Sequence, residues 1–188
     1  MELLILLVGV ILILVVTGIA IYNAIVAAGN AAKRAWSDVL TQERQKANVL
    51  PDLEALVRDG KEFEESILSS IVRLREGING LDKNGTSEQL SEIESTTKEV
   101  ITGIRATIEN YPDLKTHGLI NKLMQEISEQ QENISAALRI FNQEVEIFNN
   151  KISSFPGNIV NAYFNRKVAL NEFRDSEAEN SFEYKPNF

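Results

Sequence analysis

INKLMQEISEQQENISAALRIFNQEVEIFNNKISSF, residues 120–155, is the stretch that decides the fold. Ile120, Met124, Ile127, Gln131, Ile134, Leu138, Phe141, Val145, Phe148, Ile152 and Phe155 follow one another at alternating steps of four and three residues. Only Gln131 in that series is polar. A period of 3.5 sustained this long demands one apolar seam on a helix packed against other helices, in coiled-coil or bundle fashion. At 1.5 Å per residue the helix is about 54 Å long, and Pro156-Gly157 ends it. Gln131 is expected to specify register, at some cost in stability.

Upstream, Leu53, Leu56/Val57, Phe63, Ile67, Ile71, Leu74 and Ile78 recur at helical spacing. Pro51 is expected to kink or restart the helix before them, because proline lacks the amide donor that a helix interior uses. Asn79, Gly80, Asn84 and Gly85 mark residues 79–87 as a loop. Thr86 or Ser87 is placed to cap the next helix, with Glu88 in its first turn. That helix presents Leu90, Ile93, Val100, Ile104 and Ile108 and stops before Pro112. A shorter amphipathic piece is expected over Ile159 to Phe173. No strand-like alternation or hairpin dipeptide appears in a convincing context, and no internal repeat occurs at a solenoid period.

The amino terminus obeys a different rule. Leu3 to Val16 is unbroken apolar sequence, Thr17 and Gly18 barely interrupt it before Ile21, and no charge falls between Glu2 and Lys33. Nineteen helical residues rise about 28 Å, close to the hydrocarbon thickness of a bilayer. Gly18-Ile19-Ala20 resembles a signal-peptide cleavage site, but the flank before it lacks Lys and Arg and the apolar stretch exceeds the usual signal core. An uncleaved anchor is therefore expected. Lys33 and Arg34 place the following residues in the cytoplasm by the positive-inside rule.

Composition narrows the function. The 188 residues carry 19 basic and 27 acidic side chains, net −8, with no cysteine and one histidine, His117. A disulfide framework, a thiolate zinc site and a cysteine nucleophile are excluded. The acidic balance, with no basic stripe, argues against nucleic acid as a partner. A bundle di-iron site needs two Glu-x-x-His pairs, which one histidine cannot supply. Phosphate loops, the Gly-x-Ser-x-Gly elbow and His-Glu-x-x-His do not occur. Glu129 with Glu132, and Glu62 with Glu64 and Glu65, have the spacing of solvated helix faces rather than of paired catalytic carboxylates. His117, between Pro112 and Gly118, reads as a solvated loop residue, with a pH switch as the sharper alternative. Asn142 and Asn149, beside the seam, are read as amides that bond neighbouring helices, against a partner-facing ladder. The sequons at Asn84 and Asn133 carry little weight. Phe182, Tyr184 and Phe188 in the acidic tail are consistent with disorder or with docking, on the chain's own bundle or on a second copy.

The expected fold is all-α, an N-terminal transmembrane helix continuing into an antiparallel up-down bundle of long helices. Residues 1–28 form the anchor and juxtamembrane helix, 29–173 the bundle and 174–188 a polar tail. No catalytic, cofactor or metal site is expected, and no enzyme activity. The expected partners are membrane lipid along the N-terminal helix, further copies of the chain, with Gly9 and Gly18 as small contact points, and membrane or cytoplasmic proteins.

Several dispersed motifs add a resemblance. Tyr22-Asn23, Trp36, the segment from Lys46 to Leu53 (KANVLPDL) and that from Glu109 to Leu114 (ENYPDL) resemble the bacterial LemA family. So do Leu123-Met124, Glu132-Asn133-Ile134, Arg139-Ile140-Phe141-Asn142, Phe148-Asn149 and Phe155-Pro156-Gly157-Asn158. Lys46 stands where the family usually has arginine, Asn48 where aspartate is common and Asp52 where asparagine is common. The resemblance implies a single-span protein of the bacterial inner membrane with an antiparallel bundle on the cytoplasmic side. It implies an adaptor or scaffold in settings of envelope stress, membrane proteases and membrane remodelling. The alternative is an extracytoplasmic sensor that binds a ligand between its helices.

Overall fold

The computed structural model describes residues 1–82, 85–111 and 117–173, the side chains at 87 and 117 excepted. Helix α1 runs unbroken over Glu2–Asp59. It is followed by α2 (Glu65–Gly80), α3 (Ser87–Asn110), α4 (His117–Ser153), a four-residue α5 (Gly157–Val160) and a π-turn over Asn161–Asn165. Strands are absent among the described residues. The protein is an all-α antiparallel bundle with a long apolar N-terminal helix, as its periodicities demand.

The chain forms two compact units, one of Met1–Trp36 with Arg139–Glu172, the other built on Ser37–Leu138. In the first unit α1 and α4 lie antiparallel. Ile25 and Ala28 share a buried cluster with Phe148, Ile152 and Val160, with Ile21 packed at its edge. The Trp36 ring meets Phe141 at 5.3 Å between centroids. As α1 advances from Gly29 to Trp36, its neighbour on α4 recedes by the same seven residues, from Phe148 to Phe141. Gly29 permits this approach, since a Cβ there would lie 3.1 Å from the Phe148 ring.

In the second unit the buried side chains of α1 fall on Val39, Glu43, Lys46, Leu50, Leu53 and Val57, again at steps of four and three. Helix α2 contributes Ile67, Ile71, Leu74 and Ile78, α3 contributes Leu90, Ile93, Val100 and Ile104, and α4 contributes Ile120, Met124, Ile127 and Ile134. Gly103 faces Ile67 and Gly77 faces Ile93, so α2 and α3 also run antiparallel. Thr86 caps α3 as expected: its Oγ1 accepts from the Gln89 amide at 3.3 Å, and its own amide donates to Gln89 Oε1 at 3.0 Å.

Four local expectations are corrected. Pro51 neither breaks nor restarts α1. Its ring is exposed on the solvent side, while Val49, Leu50, Leu53 and Val57 bury the opposite side and hold the helix through it. The break comes instead at Gly60, where Phe63 folds back over the glycine: a Cβ at Gly60 would lie 2.8 Å from that ring. The next loop is shorter than read, because α2 continues to Gly80. His117 belongs to the first turn of α4 rather than to a turn before it.

The fourth correction lies past the seam. Helix α4 ends at Ser153, leaving Phe155 exposed, and the amphipathic piece over residues 159–173 is helical only to Asn165, through the end of α5 and the π-turn, with no regular structure over 166–173. Gly157 tucks so close to the end of α4 that a Cβ would lie 2.0 Å from the Lys151 carbonyl oxygen. The π-turn ends on Arg166, whose φ of 50° is left-handed. The chain then returns along α4 without regular structure.

Candidate functional site

Three features outside the ordinary core are candidates for function. The first is the apolar stretch of α1. Every large side chain from Leu3 to Val16 is exposed, and none of the stretch is covered by the other described residues. Among the described residues this is the one helix long and apolar enough to cross a membrane. Gly9 and Gly18 each face open space. Nine residues are two and a half helical turns, so the two glycines lie on opposite sides of the helix rather than on one contact face.

The second is the segment that follows α4. Asn149 grips it: its Nδ2 donates to the Leu170 carbonyl at 2.8 Å and its Oδ1 accepts from the Leu170 amide at 2.9 Å. Asn161 does the same to Lys167, at 2.9 and 2.8 Å. Asn165 Nδ2 donates to the Tyr22 carbonyl at 3.4 Å, tying the segment to α1. Asn149 thus bonds the chain's own backbone, as the plainer reading held, though it bonds a returning loop and not a helix. Asn142, half-buried on α4, is also partnered.

The third is a buried charge cluster in the second unit. Lys46, fully buried, places Nζ 3.0 Å from Glu43 Oε2, and donates to Gln131 Oε1 at 3.0 Å and to Thr97 Oγ1 at 3.2 Å. Burial pushes the Lys46 ammonium below the usual lysine range, opposed by Glu43 and the more distant Glu94. Burial likewise raises Glu43, against the pull of Lys46. Thr97 Oγ1 in turn donates to the Ile93 carbonyl at 2.7 Å. Of the three groups around the ammonium, Thr97 is itself anchored to helix backbone, and Lys46 and Glu43 are almost fully buried. Such a cluster fixes which helices face one another, and its partners leave the ammonium no vacant position for a substrate. A second buried carboxylate, Glu54, pairs with Arg75 at 2.7 Å and with Arg58.

The remaining sequence candidates do not converge. Glu129 accepts from Gln125 one turn away, Glu64 accepts from Ser66, and Glu62, Glu65 and Glu132 are exposed on separate elements. Among the described residues no three His, Asp or Glu side chains gather around a common point. Asn133 is exposed on α4. Asn84, the His117 side chain and Phe182, Tyr184 and Phe188 lie outside the described residues. Between α2 and α3 an open cleft of about 210 Å³ is lined by Ser70, Glu99, Gly103 and Thr107, smaller than ordinary ligand pockets of roughly 300–1,000 Å³.

Neither Lys46 nor Glu43 was singled out from the sequence as a functional candidate, although a signal existed. Carried back across Pro51, the Leu53–Val57 seam falls on Leu50, Lys46, Glu43 and Val39. Treating the proline as a helix boundary cuts that pattern.

Comparison with known proteins agrees with this architecture. Residues 35–184 match the model of the LemA family. The chain is similar to Protein LemA of Metamycoplasma hominis, with 31% identity over 119 residues, 63% of this chain and 53% of that protein. It thus spans about half the length of the curated relative it matches. With the family match covering most of the chain and the motifs of the Pro51 region, the seam and the Pro-Gly turn in their order, this protein belongs to the LemA family.

Proposed function

We propose that the protein is a membrane-anchored helical scaffold, acting by protein–protein contact and self-association at a bacterial membrane and carrying no catalytic activity. The observation that supports this most is the contrast along α1. Leu3 to Val16 is uncovered on every side, while from Ile25 onward the same helix buries a regular face against its own bundle. An apolar rod with no partner among the described residues calls for lipid, and the buried polar residues behind it have the chemistry of helix specification rather than of turnover. Anchoring confines copies to a surface and raises their effective concentration, which favours weak contacts between bundles. Lys33 and Arg34 favour the cytoplasmic side for those bundles.

The test uses the full chain in bacterial cells, with a photo-crosslinking residue at exposed Ile140 and, separately, at exposed Leu119. The expected result is discrete adducts in the membrane fraction, to a second copy or to a recurrent protein. Protein that sediments with membranes yet forms no adduct from either position would overturn the scaffold reading. A single cysteine at exposed Lys61, probed on intact cells with an impermeant maleimide, reads the side independently. Labelling before lysis would reverse the orientation.

A further inference from the structure

We infer that the segment after α4, residues 155–170, is a second lipid-contacting element: an interfacial hook that lies in the headgroup layer beside the anchor. The inference rests on the anchor reading of α1.

Four observations meet here. The first is exposure. Phe155, Tyr163, Phe164 and Val168 are each more than two-thirds exposed, and Ile159 about half, a density of uncovered aromatic and aliphatic side chains unusual for a surface in water. The second is position. The hook is attached to α1 where the apolar stretch ends: Asn165 bonds the Tyr22 carbonyl, and Val160 packs in one cluster with Ile25, beside Ile21. A span from Leu3 to Ile21 fills the hydrocarbon, so a segment bonded to residue 22 lies at the boundary where tyrosine and other aromatics concentrate.

The third is charge. Between Glu146 and Glu172 the chain carries Lys151, Arg166 and Lys167 and no acidic residue, in a protein whose net charge is −8. Cations among exposed aromatics suit anionic headgroups above and acyl chains below. The fourth is rigidity. The Asn149 and Asn161 clamps hold the backbone at Leu170 and Lys167 with paired hydrogen bonds. The apolar side chains are therefore held out by the fold, and they do not depend on a flexible loop that could fold them away. Lipid is the occupant this arrangement fits, because the patch is continuous with the end of the spanning stretch.

The absence of native cysteine allows single nitroxide labels on the full chain, reconstituted in vesicles of phosphatidylcholine and phosphatidylglycerol. Labels replace Phe164 and, separately, Val168, both exposed enough that the change disturbs no packing. Val8 in the apolar stretch and exposed Gln143 on α4 are the references. The expected result is that labels at 164 and 168 gain oxygen accessibility and lose access to a water-soluble nickel chelate, as at Val8 and unlike Gln143. If Val8 reports lipid while 164 and 168 behave like Gln143, the hook is overturned and the anchor stands. If Val8 also reports water, the anchor fails and the hook with it. Protection from both reagents at 164 and 168, with dipolar broadening, would mean that a second copy covers the patch, and would overturn a lipid contact.

Discussion

Lys46 on α1 and Gln131 on α4 meet inside the second unit, Nζ to Oε1 at 3.0 Å, so the one polar residue in the long seam faces a buried cation. Two apparent flaws in two apolar patterns are one interaction. A lysine placed out of register by one residue would lose Gln131, Thr97 and Glu43 together, which makes the contact a device for alignment.

Gln131→Leu is therefore expected to destabilise the protein, although it restores an apolar seam. It removes a hydrogen bond to a charged group, worth about 1.5–3 kcal/mol. Thermal and denaturant melts in mild detergent measure it. An unchanged or higher midpoint would show that Gln131 contributes nothing to register or stability.

Removing the anion should cost more. Glu43→Leu leaves the Lys46 ammonium buried without its ion pair, a loss of about 3–5 kcal/mol, and Lys46→Met added to it should recover most of the deficit. If the double variant is no more stable than Glu43→Leu, the unpaired cation is not the cause.

The same pair predicts a pH dependence. In Glu43→Gln only the lysine titrates at this site, and its folded value, already held below 10.5 by burial, drops further once Glu43 no longer supports the cation. Between that folded value and 10.5 the unfolded chain binds more protons, so stability rises with pH across the window. In the wild type Glu43 is raised above 4.5, and its own contribution is present below 4.5 and lost as pH rises through its folded value. Melting midpoints of Glu43→Gln and wild type from neutral to alkaline pH should diverge least at the alkaline end. A constant difference would refute this.

Gly29 sets the approach of α1 to α4 in the first unit. Gly29→Leu must displace the Phe148 ring and should cost about 1–3 kcal/mol by overpacking. Phe148→Leu in the same chain should relieve part of that loss. Additive effects of the two substitutions would mean that they do not share the contact.

Thr86→Ala should destabilise α3 by about 1 kcal/mol through loss of its N-cap, while Thr86→Ser keeps the bond. Amide exchange in the first turn of α3 reports it directly. Equal protection in both variants would contradict the capping geometry.

The helical periods, the Thr86 cap and the end of α3 were legible in the sequence because each depends on neighbours in the chain. Pro51 misleads because its missing amide is a local signal, whereas the burial of Val49, Leu50, Leu53 and Val57 that carries the helix through it is long-range. The Lys46 cluster is hidden for the same reason, since its seam crosses the proline. Residues 159–173 have an amphipathic pattern, but the helix stops at Asn165, and Asn149 and Asn161 bind backbone at Leu170 and Lys167 that a continuing helix would have used for itself. Such side-chain bonds to residues 21 and 6 positions away leave no periodic trace.

The contact between Gly29 and Phe148 bears on the proposed self-association of the anchor. If α1 crosses the bilayer as proposed, acyl chains exert no torque on a rod that is apolar all round, and the compass bearing of the anchor is set by the α4 contact that grips its lower end. Gly9 and Gly18 then form notches pointing in opposite bearings. Two chains joined at one kind of notch make a closed pair, whereas chains that use both extend as a row.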